Sequence, residues 1–519
     1  MRSRALSTIR IVLSLIVLLL TAAIFIDIRQ LIPEKYINII LYLQFIPSAN
    51  KFINAGQLAA TGFIAVIILT FVSGRTYCSF ICPLGILQDI ISRLGGKFKK
   101  RFRRFGFKKP HTVLRYLLLA VTLFITLIWG IYLLILLDPF SIFGRIMTFF
   151  GRPVAIALNN LLSNIFGRFD IYTFVHTPVT WFPLTTYIIP AVFMILVFIL
   201  SFTKGRLFCN AVCPVGTFLG LISRISILRI KFDNVKCTNC GRCALACKAS
   251  CIDFLNKEID LSRCISCFNC ISSCSDKAIE YGIVSFSNKA STTDESRRKA
   301  VLGSLAVLLG LSYRTSGQDT AIPVPKIAST IRENKTCPVA PPGSTSISNF
   351  TGNCTACGLC VSICPNNVLV PSVLEYGLAG IMQPHMDYHN GFCAYECIRC
   401  VETCPTGALF PLSLDAKKLT QVGKSVFIED NCIVKTEKTA CGACAESCPT
   451  KAVHMVPYEG TLVIPETTED ICIGCGHCEF ACPTTPYKAI YVNGNTEHLA
   501  AGIPENTQTE LTRPDEFPF

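Results

Sequence analysis

The stretch CTNCGRCALAC, Cys237 to Cys247, decides how this chain is read. Its cysteines fall at C-x2-C-x2-C-x3-C. The same spacing returns at Cys264, Cys267, Cys270 and Cys274, at Cys354, Cys357, Cys360 and Cys364, and at Cys472, Cys475, Cys478 and Cys482. Two variants complete the set: Cys393, Cys397, Cys400 and Cys404, and Cys432, Cys441, Cys444 and Cys448. In such runs three closely spaced thiolates grip one 4Fe–4S cubane and the fourth reaches across to the neighbouring cluster. Zinc sites use cysteine pairs set well apart, disulfide frameworks belong to short secreted chains, and no C-x-x-C-H offers covalent haem attachment. The spacing predicts up to six 4Fe–4S clusters, held by these twenty-four cysteines, and electron transfer as the chemistry.

Thirty cysteines are present, so six stand outside the quartets: Cys78, Cys82, Cys209, Cys213, Cys251 and Cys337. The first four belong to a second pattern. GRTYCSFICPLG (Gly74–Gly85) and GRLFCNAVCPVG (Gly205–Gly216) share G-R-x-aromatic-C-x3-C-P-x-G, an internal repeat. These four cysteines form one tetrathiolate site, act as two redox dithiols, or are buried and inert; the spacing alone leaves this open. Cys251 reads as structural and Cys337 as non-ligating.

Charge divides along the chain. Residues 330–519 hold 11 basic and 20 acidic side chains, leaving 37 and 14 for the rest. The basic part is also the apolar part. Ile11–Ile26, Ala55–Gly74, Tyr116–Leu137 and Phe182–Phe202 are uncharged runs long enough, or nearly so, to cross a bilayer. Ten basic residues from Arg93 to Arg115, including Lys99, Lys100, Arg101, Arg103 and Arg104, separate the second run from the third. Positive loops stay in the cytoplasm, which places the N-terminus and the segment after Lys204 inside and disfavours a nucleic-acid role for these charges. The runs contain no His, so b-haem inside the bundle is not supported.

The expected organisation follows. Residues 1–225 form an α-helical membrane domain of four spans in a two-span repeat. Residues 226–285 form a cytoplasmic two-cluster α+β domain of the bacterial ferredoxin kind. There Cys237, Cys240, Cys243 and Cys274 share one cluster, and Cys264, Cys267, Cys270 and Cys247 the other. Lys248 and Ser275 stand where Pro usually follows the crossing cysteine. Residues 286–350 hold Arg297 and Arg298 ahead of a short apolar run to Leu311, resembling a twin-arginine export signal. The alternative is a short interfacial helix. A Pro-, Ser- and Thr-rich linker, Thr315–Phe350, follows. Residues 351–519 form a four-cluster ferredoxin domain, periplasmic if exported.

Residues 1–285 resemble the membrane ferredoxin subunit of periplasmic nitrate reductase systems, the NapH type, through the spans, the two C-x3-C-P motifs and the two-cluster domain. Residues 290–490 are similar to exported four-cluster ferredoxins of the NapG/MauM type. The carriers of that resemblance are the twin arginines, Pro341-Pro342-Gly343, four cysteine motifs and the long gap from Cys432 to Cys441. The C-x3-C opening of Cys393–Cys404 departs from the usual spacing. The resemblance implies a fused quinol dehydrogenase module in the bacterial inner membrane, with quinol as substrate. It passes electrons from the quinol pool to an exported redox protein or reductase, with no nucleic acid involved. It also implies nested pairing of the exported motifs, first with fourth and second with third, while the sequence alone leaves sequential pairing open. Two rival readings are a subunit of a larger complex fed by a cytosolic ferredoxin or dehydrogenase, and a membrane metal or redox sensor using Cys78, Cys82, Cys209 and Cys213.

Overall fold

A computed structural model describes residues 2–55, 61–98, 106–109, 111–128, 130–170, 172–179, 181–233, 235–283 and 331–502. Lys99, Lys100, Arg101, Arg103 and Arg104, the paired Arg297 and Arg298, and the start of the linker lie outside the described residues. The chain divides into two compact units. One comprises Met1–Leu18, Ile64–Pro139 and Leu196–Ser329, the other Leu19–Phe63, Phe140–Ile195 and Thr330–Phe519.

Among the described residues three helices are long and apolar enough to cross a membrane: Ala5–Ile26, Pro139–Gly167 and Leu184–Lys204. Two of the four expected runs, Ile11–Ile26 and Phe182–Phe202, lie in or largely in these helices. The other two differ. Ala55–Gly74 is helical over Gly62–Ser73 among its described residues. Tyr116–Leu137 is broken near Gly130, whose φ of 97° ends helical geometry, giving the helices Thr112–Ile128 and Tyr132–Leu137. Pro139–Gly167 lay outside every expected run because Arg145 and Arg152 interrupt its apolar sequence. Arg145 is buried; its Nε donates to Ser141 O at 3.2 Å and its guanidinium lies 5.7 Å from the centre of the Phe193 ring. The aromatic contact and the carbonyl offset part of the cost of burying the cation.

In the first unit, strand Leu228–Phe232 precedes the first cysteine motif and pairs antiparallel with Ile279–Ile283, which follows the second. A short hairpin, Ile252–Asp253 with Glu258–Ile259, lies between the motifs. This is a two-cluster ferredoxin layout, closed by its outer strand pair. The second unit repeats it. Strand Thr420–Phe427 pairs with Ile490–Ala500 around the last two motifs, with hairpin Val453–Pro457 and Val463–Thr467 between them. The preceding two motifs are separated by hairpin Leu369–Pro371 and Pro384–Met386. The second unit therefore contains two modules of two motifs each.

Candidate iron–sulfur sites

In all four strict quartets two residues adopt left-handed backbone: the one before the second cysteine and the one after it. They are Asn239 and Gly241, Ser266 and Phe268, Ala356 and Gly358, Gly474 and Gly476. Alternating right- and left-handed residues turn successive N–H groups inward, a nest suited to an anionic group. Gly476 is required twice over. Its φ is 75°, and a Cβ there would lie 2.0 Å from the Tyr388 ring. A short helix follows each loop: Arg242–Ala246, Asn269–Ser273, Leu359–Ile363 and His477–Ala481. It places the third cysteine in its first turns and delivers the fourth just past its end.

Six four-sulfur sites result. Site I gathers Cys237, Cys240, Cys243 and Cys274 around one cavity. Site II gathers Cys264, Cys267, Cys270 and Cys247. Both match the expected exchange of fourth cysteines. Site III brings Cys354, Cys357 and Cys360 into one field with Cys404. Site IV does the same for Cys393, Cys397 and Cys400 with Cys364. Site V gathers Cys432, Cys441, Cys444 and Cys482 around one cavity, and site VI sets Cys478 with Cys472, Cys475 and Cys448. The nested pairing implied by the resemblance is therefore corrected. The first motif exchanges with the second and the third with the fourth, because each hairpin folds its two flanking motifs back on each other. The modules meet where Cys393 N donates to Cys475 O at 2.9 Å, so the four sites of this unit run in the order III, IV, VI, V.

The donor sets fit 4Fe–4S groups: four cysteine sulfurs per site, none within the bonding geometry of a disulfide, all thirty cysteines being free. Burial pushes the Cys475 thiol up to about 12 and the Cys267 thiol up to about 11. These sulfurs become thiolates only by binding metal, with release of the proton.

Both variant motifs have local reasons. The extra residue in Cys393–Cys397 is held by buried Lys417, whose Nζ donates to Ala394 O at 2.6 Å and Tyr395 O at 3.0 Å. The long gap after Cys432 is filled by helix Ile433–Thr436 and a turn in which Lys438 has φ 51°. Lys417 gave no sequence signal, since it sits thirteen residues beyond Cys404.

Site III is seated on apolar segments of its own unit. Thr148 Oγ1 donates to Gly358 O at 3.3 Å, Arg152 Nη1 to Val361 O at 3.4 Å, and Gln30 Nε2 to Ile363 O at 3.1 Å. Gly144 leaves room for Cys357 O, which would lie 2.3 Å from a Cβ. Site II is seated likewise in the first unit. Arg75 Nη1 donates to Ser262 O at 2.9 Å, Arg115 Nη2 donates to the same oxygen at 3.2 Å, and the Arg206 backbone N–H donates to Lys248 O at 3.1 Å. Lys248 itself pairs with Asp89 at 3.3 Å, which explains the departure from Pro at that position. Cys251 lies 3.5 Å from Cys247 Sγ, beside site II. Cys337 lies in the linker segment, its N–H donating to Asn493 Oδ1 at 3.1 Å.

With sites of this geometry the chain is a ferredoxin-type iron–sulfur electron-transfer protein. Three family descriptions match it: a 4Fe–4S binding domain at residues 55–101 and 187–234, a 4Fe–4S dicluster domain at 260–368, and a second 4Fe–4S dicluster domain at 353–408 and 439–485. Among curated relatives, the ferredoxin-type protein NapF of Escherichia coli is 28% identical over 157 residues, 30% of this chain and 87% of NapF. The methylamine utilization ferredoxin-type protein MauM of Methylobacillus flagellatus is 33% identical over 149 residues, 27% of this chain and 62% of MauM. The ferredoxin-type protein NapG of Escherichia coli is 27% identical over 198 residues, 36% of this chain and 78% of NapG. No solved structure matches the chain significantly.

Proposed function

We propose that this chain relays electrons from the quinol pool of the bacterial inner membrane to an exported redox partner, as a NapH-type membrane module fused to a NapG/MauM-type ferredoxin. The observation that carries the reading is the division of electron-carrying sites between two units that share the apolar helices. Residues Met1–Leu18 and Leu196–Ser329 belong with sites I and II, and Leu19–Phe63 and Phe140–Ile195 with sites III to VI. Helices Arg2–Ile26 and Leu184–Lys204 thus contribute to both. Their outward residues suit lipid: Leu19, Leu20, Ile188 and Ile195 are exposed.

When bound, 4Fe–4S groups supply one-electron carriers whose potentials follow hydrogen bonding, charge and exposure. The chain's own residues hold the thiolates, exclude water and set those fields. Each quinol yields two electrons and two protons, so electrons leave it singly. Basic flanks retain sites I and II in the cytoplasm; the twin arginines 297 and 298 direct the acidic remainder outward. The partner docks there through a basic surface, drawn by charge complementarity.

The test uses the full chain, purified anaerobically in detergent. A menaquinol analogue is expected to bleach the visible iron–sulfur absorbance within the mixing time of a turnover assay. Reduction by reduced ferredoxin with none by quinol would overturn the reading in favour of a complex fed from the cytosol.

A further inference from the structure

The two C-x3-C-P motifs, 131 residues apart in sequence, interlock. Arg75 of the first donates through Nη2 to Cys209 O of the second at 3.2 Å, and Arg206 of the second donates through Nη1 to Cys78 O of the first at 2.6 Å. The glycines that close the motifs make this possible. A Cβ on Gly85 would lie 2.5 Å from both Cys78 O and Arg206 Nη1. A Cβ on Gly216 would lie 2.3 Å from Cys209 O and 2.8 Å from Arg75 Nη2. The Arg and the closing Gly of each motif thus serve one purpose, which is to bring Cys78, Cys82, Cys209 and Cys213 together. All four are buried, at 3–4% exposure, and Cys213 lies in the field of the other three.

The charge around them calls for an anion. Arg10, Arg206 and Lys248, all buried, share the single carboxylate of Asp89, at 2.9, 2.9 and 3.3 Å. Arg75 is fully buried with no ion pair among the described residues. The ligand sulfurs of site II share this excess, Cys264 with Arg75 and Cys267 with Arg10 and Lys248, and a second anionic group held by the four cysteines would lower the cost of burying the rest. Three polar atoms at the site have no hydrogen-bond partner among the described residues: Arg75 Nε, Arg206 Nη2 and Gln88 Nε2. Gln88 faces Cys209 Sγ with its oxygen at 3.4 Å. With the amide turned over, Gln88 Nε2 becomes a donor to a Cys209 thiolate. Two donors already point at sulfur, Gly216 N at 3.3 Å from Cys213 and Arg75 Nη2 at 3.7 Å from Cys78.

A mononuclear tetrathiolate with Zn–S of about 2.3 Å needs its sulfurs about 3.8 Å apart. Among the described residues no three cysteine sulfurs lie within 4.8 Å of one another. The 4Fe–4S binding description matches the two motif regions separately, at residues 55–101 and 187–234, yet each region offers only two cysteines.

We propose that Cys78, Cys82, Cys209 and Cys213 hold one further iron–sulfur cluster, shared between the two motifs and set beside site II. Its neighbours in that direction are fixed: Arg75 binds Ser262 O, and Asn210 Nδ2 donates to Ala249 O at 3.4 Å. The inference concerns metal content and is independent of the electron donor.

The test compares iron and acid-labile sulfide per chain in the full-length protein and in the Cys82→Ser/Cys213→Ser double variant, both assembled in cells and purified anaerobically. Six cubanes account for about 24 irons; the wild type is expected to hold about 28 with a cubane at the new site, or about 26 with a two-iron cluster. The variant is expected to fall to about 24 while the low-temperature electron paramagnetic resonance of the six other clusters persists. Equal iron in both proteins, or one zinc per chain that the variant loses, would overturn the proposal. If the variant fails to assemble, the wild-type count decides: above about 24 supports the site, and about 24 or fewer rejects it.

Discussion

The ferredoxin quartets and the four cysteines of the C-x3-C-P motifs collect sulfur in opposite ways. A quartet is local: eleven residues, two left-handed turns and one short helix supply three ligands and export a fourth. The other constellation is wholly long-range, built by two arginines that cross between segments and two glycines that let them pass. Quartets surround their sulfurs with backbone N–H groups, which are neutral dipoles. The interlocked motifs surround theirs with buried guanidinium and ammonium groups around a single carboxylate. The difference teaches that local spacing announces a ligand set, whereas a set split between distant segments is recognised by what its surroundings lack, here negative charge.

The sharpest way to break the comparison is to test the exchange of fourth cysteines. Cys482→Ser and Cys441→Ser are each expected to remove or convert the same cluster, site V, and leave the signal of site III intact. Nested pairing would instead send the Cys482 loss to the cluster of Cys354, Cys357 and Cys360. Resonance spectra of the two single variants, overlaid, decide it.

Next in size is Asp89. Burial alone would raise its carboxyl, but Arg206, Lys248 and Arg10 overcome that and hold it far below the ordinary carboxylate range. The stabilisation is therefore present above the ordinary carboxylate pKa and persists until pH falls through the depressed folded value. Asp89→Asn leaves three buried cations without their anion and is expected to cost about 3–5 kcal/mol, read as a lowered unfolding temperature in detergent. No shift in that temperature would contradict the charge argument.

Gly476→Ala forces a left-handed alanine against Tyr388 and should cost about 2–5 kcal/mol, summing backbone strain and overpacking. Gly460 has φ 64° and open space around it, so Gly460→Ala isolates the backbone part at about 1–2 kcal/mol. Equal losses in urea unfolding would show that the Tyr388 contact is not limiting.

Smaller still is Cys251. Its thiol beside Cys247 withdraws charge from a ligand sulfur, so Cys251→Ala should lower the potential of site II. A hydrogen bond of about 0.5–1.5 kcal/mol corresponds to about 20–65 mV for one electron. Redox titration followed by resonance would show either that fall or none.

The smallest effect belongs to a partly exposed pair. His389 Nδ1 lies 2.7 Å from Asp387 Oδ1. That hydrogen bond raises His389 above its ordinary value; Asp387, which burial alone would raise, is held at about 2 by His389. The pair's contribution is complete below about pH 6.5 and fades as pH rises through the folded His389 value; acid removes it only near pH 2. With the imidazole about half exposed, His389→Gln should cost less than about 1 kcal/mol at pH 6 and nothing at pH 9. Unfolding curves at the two pH values check the sign.

The ligand cysteines were legible because cubane chemistry demands several thiolates within a few residues, and no other common fold writes that pattern. The outer pairing was not, because it depends on hairpins such as Leu369–Met386 whose return path no spacing reveals. Helix Pro139–Gly167 was hidden by Arg145 and Arg152, whose partners are aromatic rings and carbonyls supplied by the fold. The break at Gly130 looked like one more small residue in an apolar run. Lys248 read as a defect in a ferredoxin motif, although it completes the ion cluster on Asp89, 159 positions earlier in the sequence.

The relay across the membrane is tested most directly by sidedness. Protease is added to intact spheroplasts carrying the full chain, with and without Arg297→Lys and Arg298→Lys. The account predicts that the segment holding sites III to VI is cleaved from outside in the wild type and protected in the double variant, while sites I and II stay protected in both. Protection of both segments in the wild type would place every cluster in the cytoplasm and contradict it.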